Sequence, residues 1–512
     1  MNSPAAKPGQ QGLAAKVVRG GAWIYGRMIV TNVVNIGVMA ILARQLKPAE
    51  FGIVALATVI MRFLVILGAE GVSEFVIYDN KEGKEERAKA AFWMDLTFAT
   101  AAMLVGMLLS PFIVAFYCEP SLGLILLFLL IKFPLETSSK VPDALLKKGL
   151  DFQRLMIRDT ILEILISVTM VLMALSGFGV WSLIVPGFVA APVRTLIVFW
   201  MARWLPGLNF HFRQWRKIFK YSANVIGGTL TSFLLTEGDT LLIGKILGSE
   251  LLGLYNLAYQ AVNIVPRNIT AVANRLALPA LSMISENADK LREAVARMQR
   301  VLALLSFPLL IGLFVLADSF VLTLYGKQWE EAVLPLRIMI VFALRYSVGG
   351  VGSALWKALG RTDISFKLGL ATIPFYFSAI WLGSHYGIAG VALAITVVRT
   401  AFGLIGFEIM GRCMKQTFYQ IIRPMLPALF ASCIMGGSVF LYLLVAEPLL
   451  KNLVPAILVS ASFFGGAIFL LLLRSAFRND ARELSRISEP LLNSRIQGFV
   501  KKALNVDLDM NR

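Results

Sequence analysis

The chain is 512 residues long, 57% hydrophobic and only 16% charged, with a mean hydropathy of +0.73; that balance excludes a soluble globular protein and fits a polytopic membrane protein. A formal net charge of +18 would suit a nucleic-acid binder, but the placement of the charge, taken up below, argues against one. Cys118, Cys413 and Cys433 stand far apart and the histidines are His211 and His385, so neither a disulfide framework nor a zinc site can be built.

Residues 1–19 are polar and lack the short apolar core and small-residue cleavage site of a signal peptide, so the first span itself is expected to direct insertion. Apolar stretches of about 20 residues or more, long enough to cross a bilayer, are predicted at 20–44, 51–77, 91–116, 121–146, 157–176 and 180–202. A linker at 203–216 leads to a second set at 217–246, 251–283, 299–325, 331–356, 364–383 and 387–410. The stretch 251–283 is long and carries Pro266 and Pro279. Two more spans, 424–446 and 452–474, bring the expectation to about 14. In the tail 475–512, Leu484, Ile487, Leu491, Ile496, Phe499, Val500 and Leu504 recur among Arg482, Arg486, Arg495, Lys501 and Lys502. That spacing predicts a basic amphipathic helix on the anionic membrane surface, with a docking surface for biosynthetic partners as the alternative.

Loop charge tests this map independently. With the N-terminus inside, the cytoplasmic segments hold about 33 Lys and Arg, among them Lys81, Lys84, Arg87, Lys89, Lys290, Arg292, Arg297 and Arg300, against about four outside (Arg44, Lys47, Lys327, Lys451). Both termini are therefore expected to be cytoplasmic, and the basic charge reads as a topology signal. The external loops, such as Cys118 to Ser121, Ser176 to Gly179 and Gly383 to Gly387, leave no room for a catalytic domain. No GxxxxGK[ST] phosphate loop is present either, so the chain is not expected to be an enzyme or to hydrolyse nucleotide.

The two sets of six spans resemble each other. At an offset of about 201 residues, Arg19, Ala22, Arg44, Leu46, Gly52, Leu56 and Ala57 align with Lys220, Ala223, Lys245, Leu247, Gly253, Leu257 and Ala258. Further on, Ala144, Leu145 and Lys147 match Ala354, Leu355 and Lys357, and Val193-Arg194-Thr195 matches Val398-Arg399-Thr400. An even number of spans gives copies running in the same direction, so the fold class is an all-α polytopic membrane protein. The expected architecture is two parallel six-helix bundles (20–202 and 217–410) with a cleft between them, plus two C-terminal helices within 424–474.

The stretches Leu241 to Gln260, Leu276 to Ile284, Tyr325 to Met339 and Leu344 to Lys367, with Ile41 to Ala57 in the first half, resemble the polysaccharide transporter family. That family lies within the multidrug/oligosaccharidyl-lipid/polysaccharide superfamily, and the likeness is nearest to colanic-acid-type exporters. It implies a V-shaped bundle pair that alternates between inward-open and outward-open states. It also implies flipping of undecaprenyl-pyrophosphate-linked oligosaccharide repeat units across the bacterial inner membrane, for exopolysaccharide, capsule or O-antigen. Membrane lipids, a polysaccharide polymerase and glycosyltransferases are the implied partners; nucleic acid is not one. The rival readings are a drug or metabolite antiporter of the same superfamily and a membrane-embedded polymerase or ligase.

Cations inside the spans are the chemical signal. One at the bilayer centre costs about 2.5–3.5 kcal/mol even on lenient scales, and guanidinium forks suit phosphate oxygens. The candidate substrate-binding residues are Arg27, Arg62, Lys132, Arg194, Arg267, Arg275, Arg345 and Arg399. Each is weighed against a structural ion pair, for instance Arg62 with Glu70 or Glu74, or against snorkelling to the interface for Arg27 and Arg275. Glu237 and Asp239 are the candidate ion-coupling residues, for protons or sodium, with no other cofactor expected. The structural alternative for them is an interhelical hydrogen bond or a pair with Lys245. Asp95, Glu163 and Glu408 are expected to pair with loop cations. Gly227-Gly228, Pro266, Gly349-Gly350 and Pro374 are candidate bending points that are also commonplace in membrane helices.

Overall fold

The computed structural model describes residues 31–32, 34–78, 83–149, 152–449 and 454–475. Among them regular structure is helical throughout, as hydrocarbon requires, since a helix satisfies its own backbone groups. In chain order the helices are α1 (Val34–Gln45), α2 (Pro48–Ala69), α3 (Val72–Tyr78), α4 (Lys84–Tyr117), α5 (Pro120–Ser138), α6 (Lys140–Lys148), α7 (Phe152–Leu175), α8 (Trp181–Ala202) and α9 (Phe212–Ile246). They continue with α10 (Gly248–Met283), α11 (Ala288–Val315), α12 (Ala317–Leu324), a 3₁₀ turn (Lys327–Ala332), α13 (Val333–Ala358), α14 (Thr362–Ser384) and α15 (Gly387–Met414). The short α16 (Phe418–Ile422) and a second 3₁₀ turn (Arg423–Met425) precede α17 (Leu426–Leu449) and α18 (Val454–Ser475).

Ten of the described helical segments are long and apolar enough to cross a membrane. The remaining predicted spans fall on α1, α7, α9 and α10, so the arrangement is compatible with the expected count. Two predicted spans are broken. The run 51–77 divides between α2 and α3, where Gly71 adopts φ +86°, a conformation that costs a residue with a Cβ far more than glycine. The run 299–325 divides at Leu316 between α11 and α12. The candidate bending points Pro266 and Pro374 lie inside the continuous helices α10 and α14. The predicted tail helix over 475–512 lies outside the described residues apart from Ser475 at the end of α18.

The chain forms two compact units, 1–253 and 254–512. In the first, α2 packs on α4, α5 and α9, and α5 on α8. One cluster of buried side chains joins Val72, Phe75 and Val76 to Phe92, Met94, Val141 and Ile218. In the second, α11 packs on α13 and α17, α13 on α15, and α14 on α15. The core there runs from Leu302 and Phe307 through Val351 and Leu355 to Met410 and Met435.

Within the first unit, two glycines matched by the sequence repeat meet. A Cβ on Gly52 would lie 1.8 Å from the Ser249 carbonyl oxygen, and one on Gly253 would lie 1.9 Å from that of Pro48. Ser249 and Pro48 are themselves repeat-matched at the same offset. The starts of α2 and α10 thus cross backbone to backbone in a locally two-fold manner. The adjoining Glu50 caps α2 by accepting from its own Lys47 N–H at 2.8 Å. Its other oxygen accepts from the Val180 N–H ahead of α8 at 3.0 Å.

Candidate functional site

In the first unit the cations within the spans meet carboxylates. Arg62 of α2 pairs with Glu237 of α9, neither with Glu70 nor with Glu74, so one candidate substrate ligand and one candidate coupling residue are joined. Lys132 pairs with Glu136 one helical turn on at 3.0 Å. Gly187 makes room for it: a Cβ there would stand 3.2 Å from the Lys132 amine. Arg194 of α8 reaches Asp143 of α6 at 3.3 Å, and the same carboxylate takes Arg158 of α7, which also contacts Asp159 at 2.6 Å. Asp143 and Arg158 are both buried, 5% exposed each, so one acid ties three helices together.

The α5, α7 and α8 side chains around these pairs enclose a cavity of about 370 Å³ lined by Lys132, Glu136, Asp159, Glu163, Gly187 and Arg194. Glu163 accepts from Thr31 Oγ1 at 3.2 Å and from Asn35 Nδ2 at 3.4 Å. It therefore has hydroxyl and amide donors, and the expectation of a loop cation missed them. Glu408 pairs with Arg412 on its own helix at 2.9 Å.

Asp239 is buried, and its Oδ1 accepts from the Thr240 N–H at 2.8 Å. Lys245, its anticipated partner, instead donates to the Phe116 carbonyl and sits 4.6 Å from that ring's centroid. A carbonyl plus a ring face satisfies an ammonium where helix ends meet, and no local pattern announced it. The Asp95 expectation also fails: neither carboxylate oxygen has a hydrogen-bond partner.

The second unit treats its arginines differently. Arg399 of α15 donates to Tyr259 Oη at 3.1 Å and to Tyr376 Oη at 2.8 Å. Its guanidinium carbon lies 5.6, 5.3 and 5.1 Å from the ring centroids of Tyr259, Phe342 and Tyr376, a cation–π cradle. Arg345 of α13 has a buried Nε without a partner, and the charged group acting on it is a second cation, Arg399. Gly403, one turn beyond Arg399, leaves space for it; a Cβ there would lie 2.2 Å from the Arg345 Nε.

Arg267, next to Pro266 on α10, is exposed and makes no side-chain ion pair with the described residues. Arg27 lies outside the described residues, as does the side chain of Arg275. The structure therefore brings together Arg62 with Glu237 and Arg345 with Arg399, and gives Lys132 and Arg194 shared walls of one cavity. Tyr259, Phe342, Tyr376, Gly403 and Asp143 escaped the sequence reading. Tyrosines and phenylalanines in apolar helices look like core, and only the arginine between them marks them as polar partners.

Chemically, Arg345 is a guanidinium with a buried Nε that has no hydrogen-bond partner, and the charged group acting on it has the same sign, an arrangement that disfavours a cationic ligand. Phosphate oxygens fit the planar donor fork.

Comparison with known proteins bears on the whole chain. The lipopolysaccharide biosynthesis protein WzxC of Escherichia coli (strain K12) is 25% identical over 436 residues, covering 83% of this chain and 88% of that protein. The succinoglycan biosynthesis transport protein ExoT of Rhizobium meliloti (strain 1021) is 24% identical, covering 77% and 81%. The teichuronic acid biosynthesis protein TuaB of Bacillus subtilis (strain 168) is 26% identical, covering 81% and 87%. Among solved structures, the lipid II flippase MurJ in an inward closed conformation superimposes with a TM-score of 0.71 at 13% identity over 90% of this chain and 99% of that one. An inward-facing multidrug resistance MATE family transporter of the MOP superfamily gives 0.62 at 15% identity over 77% and 98%. The fold is thus of the MurJ and MATE kind. The family model described as polysaccharide biosynthesis protein matches residues 41–334, more than half of the chain, and the protein belongs to that family.

Proposed function

We propose that this protein is a flippase that carries undecaprenyl-pyrophosphate-linked oligosaccharide repeat units from the inner to the outer leaflet of the bacterial inner membrane, for surface polysaccharide synthesis. The observation that carries the reading is Arg345, a membrane-buried guanidinium with an unsatisfied Nε whose charged neighbour is Arg399. Two neighbouring guanidiniums attract an anionic head group and repel a cationic drug. Full-length similarity to proteins named for lipopolysaccharide, succinoglycan and teichuronic acid biosynthesis supports the same substrate class.

In this proposal Arg345, Arg399 and the exposed Arg267 contact the pyrophosphate, together with Arg27 and Arg275. Arg62, Lys132 and Arg194 join them when their carboxylate partners release them. The isoprenoid tail stays in lipid, so only the head group needs a polar route. A proton or sodium gradient drives the cycle, with Glu237 and Asp239 as coupling carboxylates, and the protein itself performs no catalysis. Both termini are cytoplasmic, and a polymerase and glycosyltransferases act before and after it.

The test is translocation of a fluorescent undecaprenyl-pyrophosphate oligosaccharide in proteoliposomes, read by quenching from outside. Wild type should move the lipid to the outer leaflet, and Arg345→Ala and Arg267→Ala should slow it while inserting normally. Unchanged translocation in both variants, or efflux of a cationic dye in place of the lipid, would overturn the proposal.

A further inference from the structure

Asp95 stands on α4 in the first unit, away from the pairs described above. It is 1% exposed, and neither Oδ1 nor Oδ2 has a hydrogen-bond partner. Its neighbours in sequence, Ala91, Phe92 and Met94, belong to the apolar core shared with Val72, Phe75, Val141 and Ile218. A carboxylate cannot stay ionised there without partners, since the cost of burying an isolated charge greatly exceeds that of carrying a proton.

The charged groups that act on it are Lys140 at the start of α6, Glu70 at the end of α2 and Glu74 on α3. Of the other elements packed on α4, α5 carries Lys132 and Glu136, which pair with each other. The α9 helix carries Lys217 and Lys220, both exposed, and the phenol of Tyr221, which packs on Phe75 and Tyr78. One cation and two acids at a helix break thus face a carboxyl with empty oxygens. The break itself is tight: a Cβ on Gly71 would come within 2.9 Å of the Ser222 Cα on α9.

We propose that Asp95 is a proton-carrying site of the first unit, additional to Glu237 and Asp239: protonated in the packing seen here and ionised when α2, α3 or α6 shifts to bring water or Lys140 against it. The step is a simple proton exchange, taken from water on one side of the membrane and returned to water on the other. The coupling role rests on the transport reading above, whereas the protonation does not.

Infrared difference spectroscopy of the purified full chain across a pH series tests the site directly. A carboxylic-acid C=O band that bleaches as pH rises, and that is missing in Asp95→Asn, is expected. In proteoliposomes Asp95→Asn, fixed in the neutral form, should abolish stimulation of lipid-oligosaccharide translocation by a pH gradient, and Asp95→Glu should retain it. A band unchanged in Asp95→Asn, or gradient-stimulated translocation at the wild-type level in that variant, overturns the proposal. Bleaching by sodium at constant pH also overturns it, in favour of a sodium site. If the band titrates as expected while wild type moves no lipid-linked oligosaccharide, the transport reading fails and the proton site stands.

Discussion

In the first unit Arg62, Lys132 and Arg194 each meet an acid, whereas in the second Arg399 meets tyrosines and a phenylalanine. The repeat makes the contrast instructive, because Arg194 and Arg399 occupy matching positions and had the same starting chemistry. Arg194 finds Asp143. The position matching Asp143, by the register that aligns Ala144 with Ala354, is Ser353, and Arg399 instead donates to Tyr259 and Tyr376. Ser353 donates instead to the Gly350 carbonyl at 3.0 Å, so the matched positions serve different contacts. Under the proposed function the halves divide labour, one unit stabilising and the other receiving an anion.

The comparison breaks most visibly at Asp143. Asp143→Ala leaves Arg158, with its side chain 4% exposed, with Asp159 as its remaining acid, and should destabilise the detergent-solubilised protein by up to about 3–5 kcal/mol. Fluorescence-detected thermal unfolding would show it. Arg345→Leu should have the opposite profile. It leaves no orphaned acid, so thermal stability should be unchanged or raised, while translocation falls by about tenfold or more, in line with the roughly 1.5–3 kcal/mol of a charge-assisted hydrogen bond.

Gly403→Ala sharpens the point, since its methyl would occupy the place of the Arg345 guanidinium and should cost about 1–3 kcal/mol. Combining it with Arg345→Leu should restore the stability, and a failure to do so would separate the two residues. The smallest effect is expected at Arg62 and Glu237, whose side chains are 57% and 20% exposed. A double-mutant cycle should give about 0.2–1 kcal/mol if water reaches them. A coupling of several kcal/mol would instead place the pair in hydrocarbon.

The long helices were legible because each is an apolar run of spanning length, while short helices such as α16 (Phe418–Ile422) were not. The break at Gly71 was not, because the apolar pattern of 51–77 runs through it and only the backbone shows φ +86°. The arginines and lysines were legible as residue types, since cations in apolar runs are conspicuous. Their partners were not. Arg62 and Glu237 lie in different helices far apart in sequence, and no local pattern distinguishes Glu237 from Glu70 or Glu74 as the mate. The aromatic cradle of Arg399 was hidden for a further reason: Tyr259, Phe342 and Tyr376 sit on three different helices and look individually like ordinary core.

The crossing of Gly52 and Gly253 sets a limit on divergence. Gly227 and Gly228 have open space where a side chain would go and are free to drift. At the crossing, a single methyl on either copy would strike main-chain oxygen of the other and pry two helix starts apart. The two halves differ in the counter-ions of their arginines, yet at this stitch they are spelled alike, where neither letter can change alone.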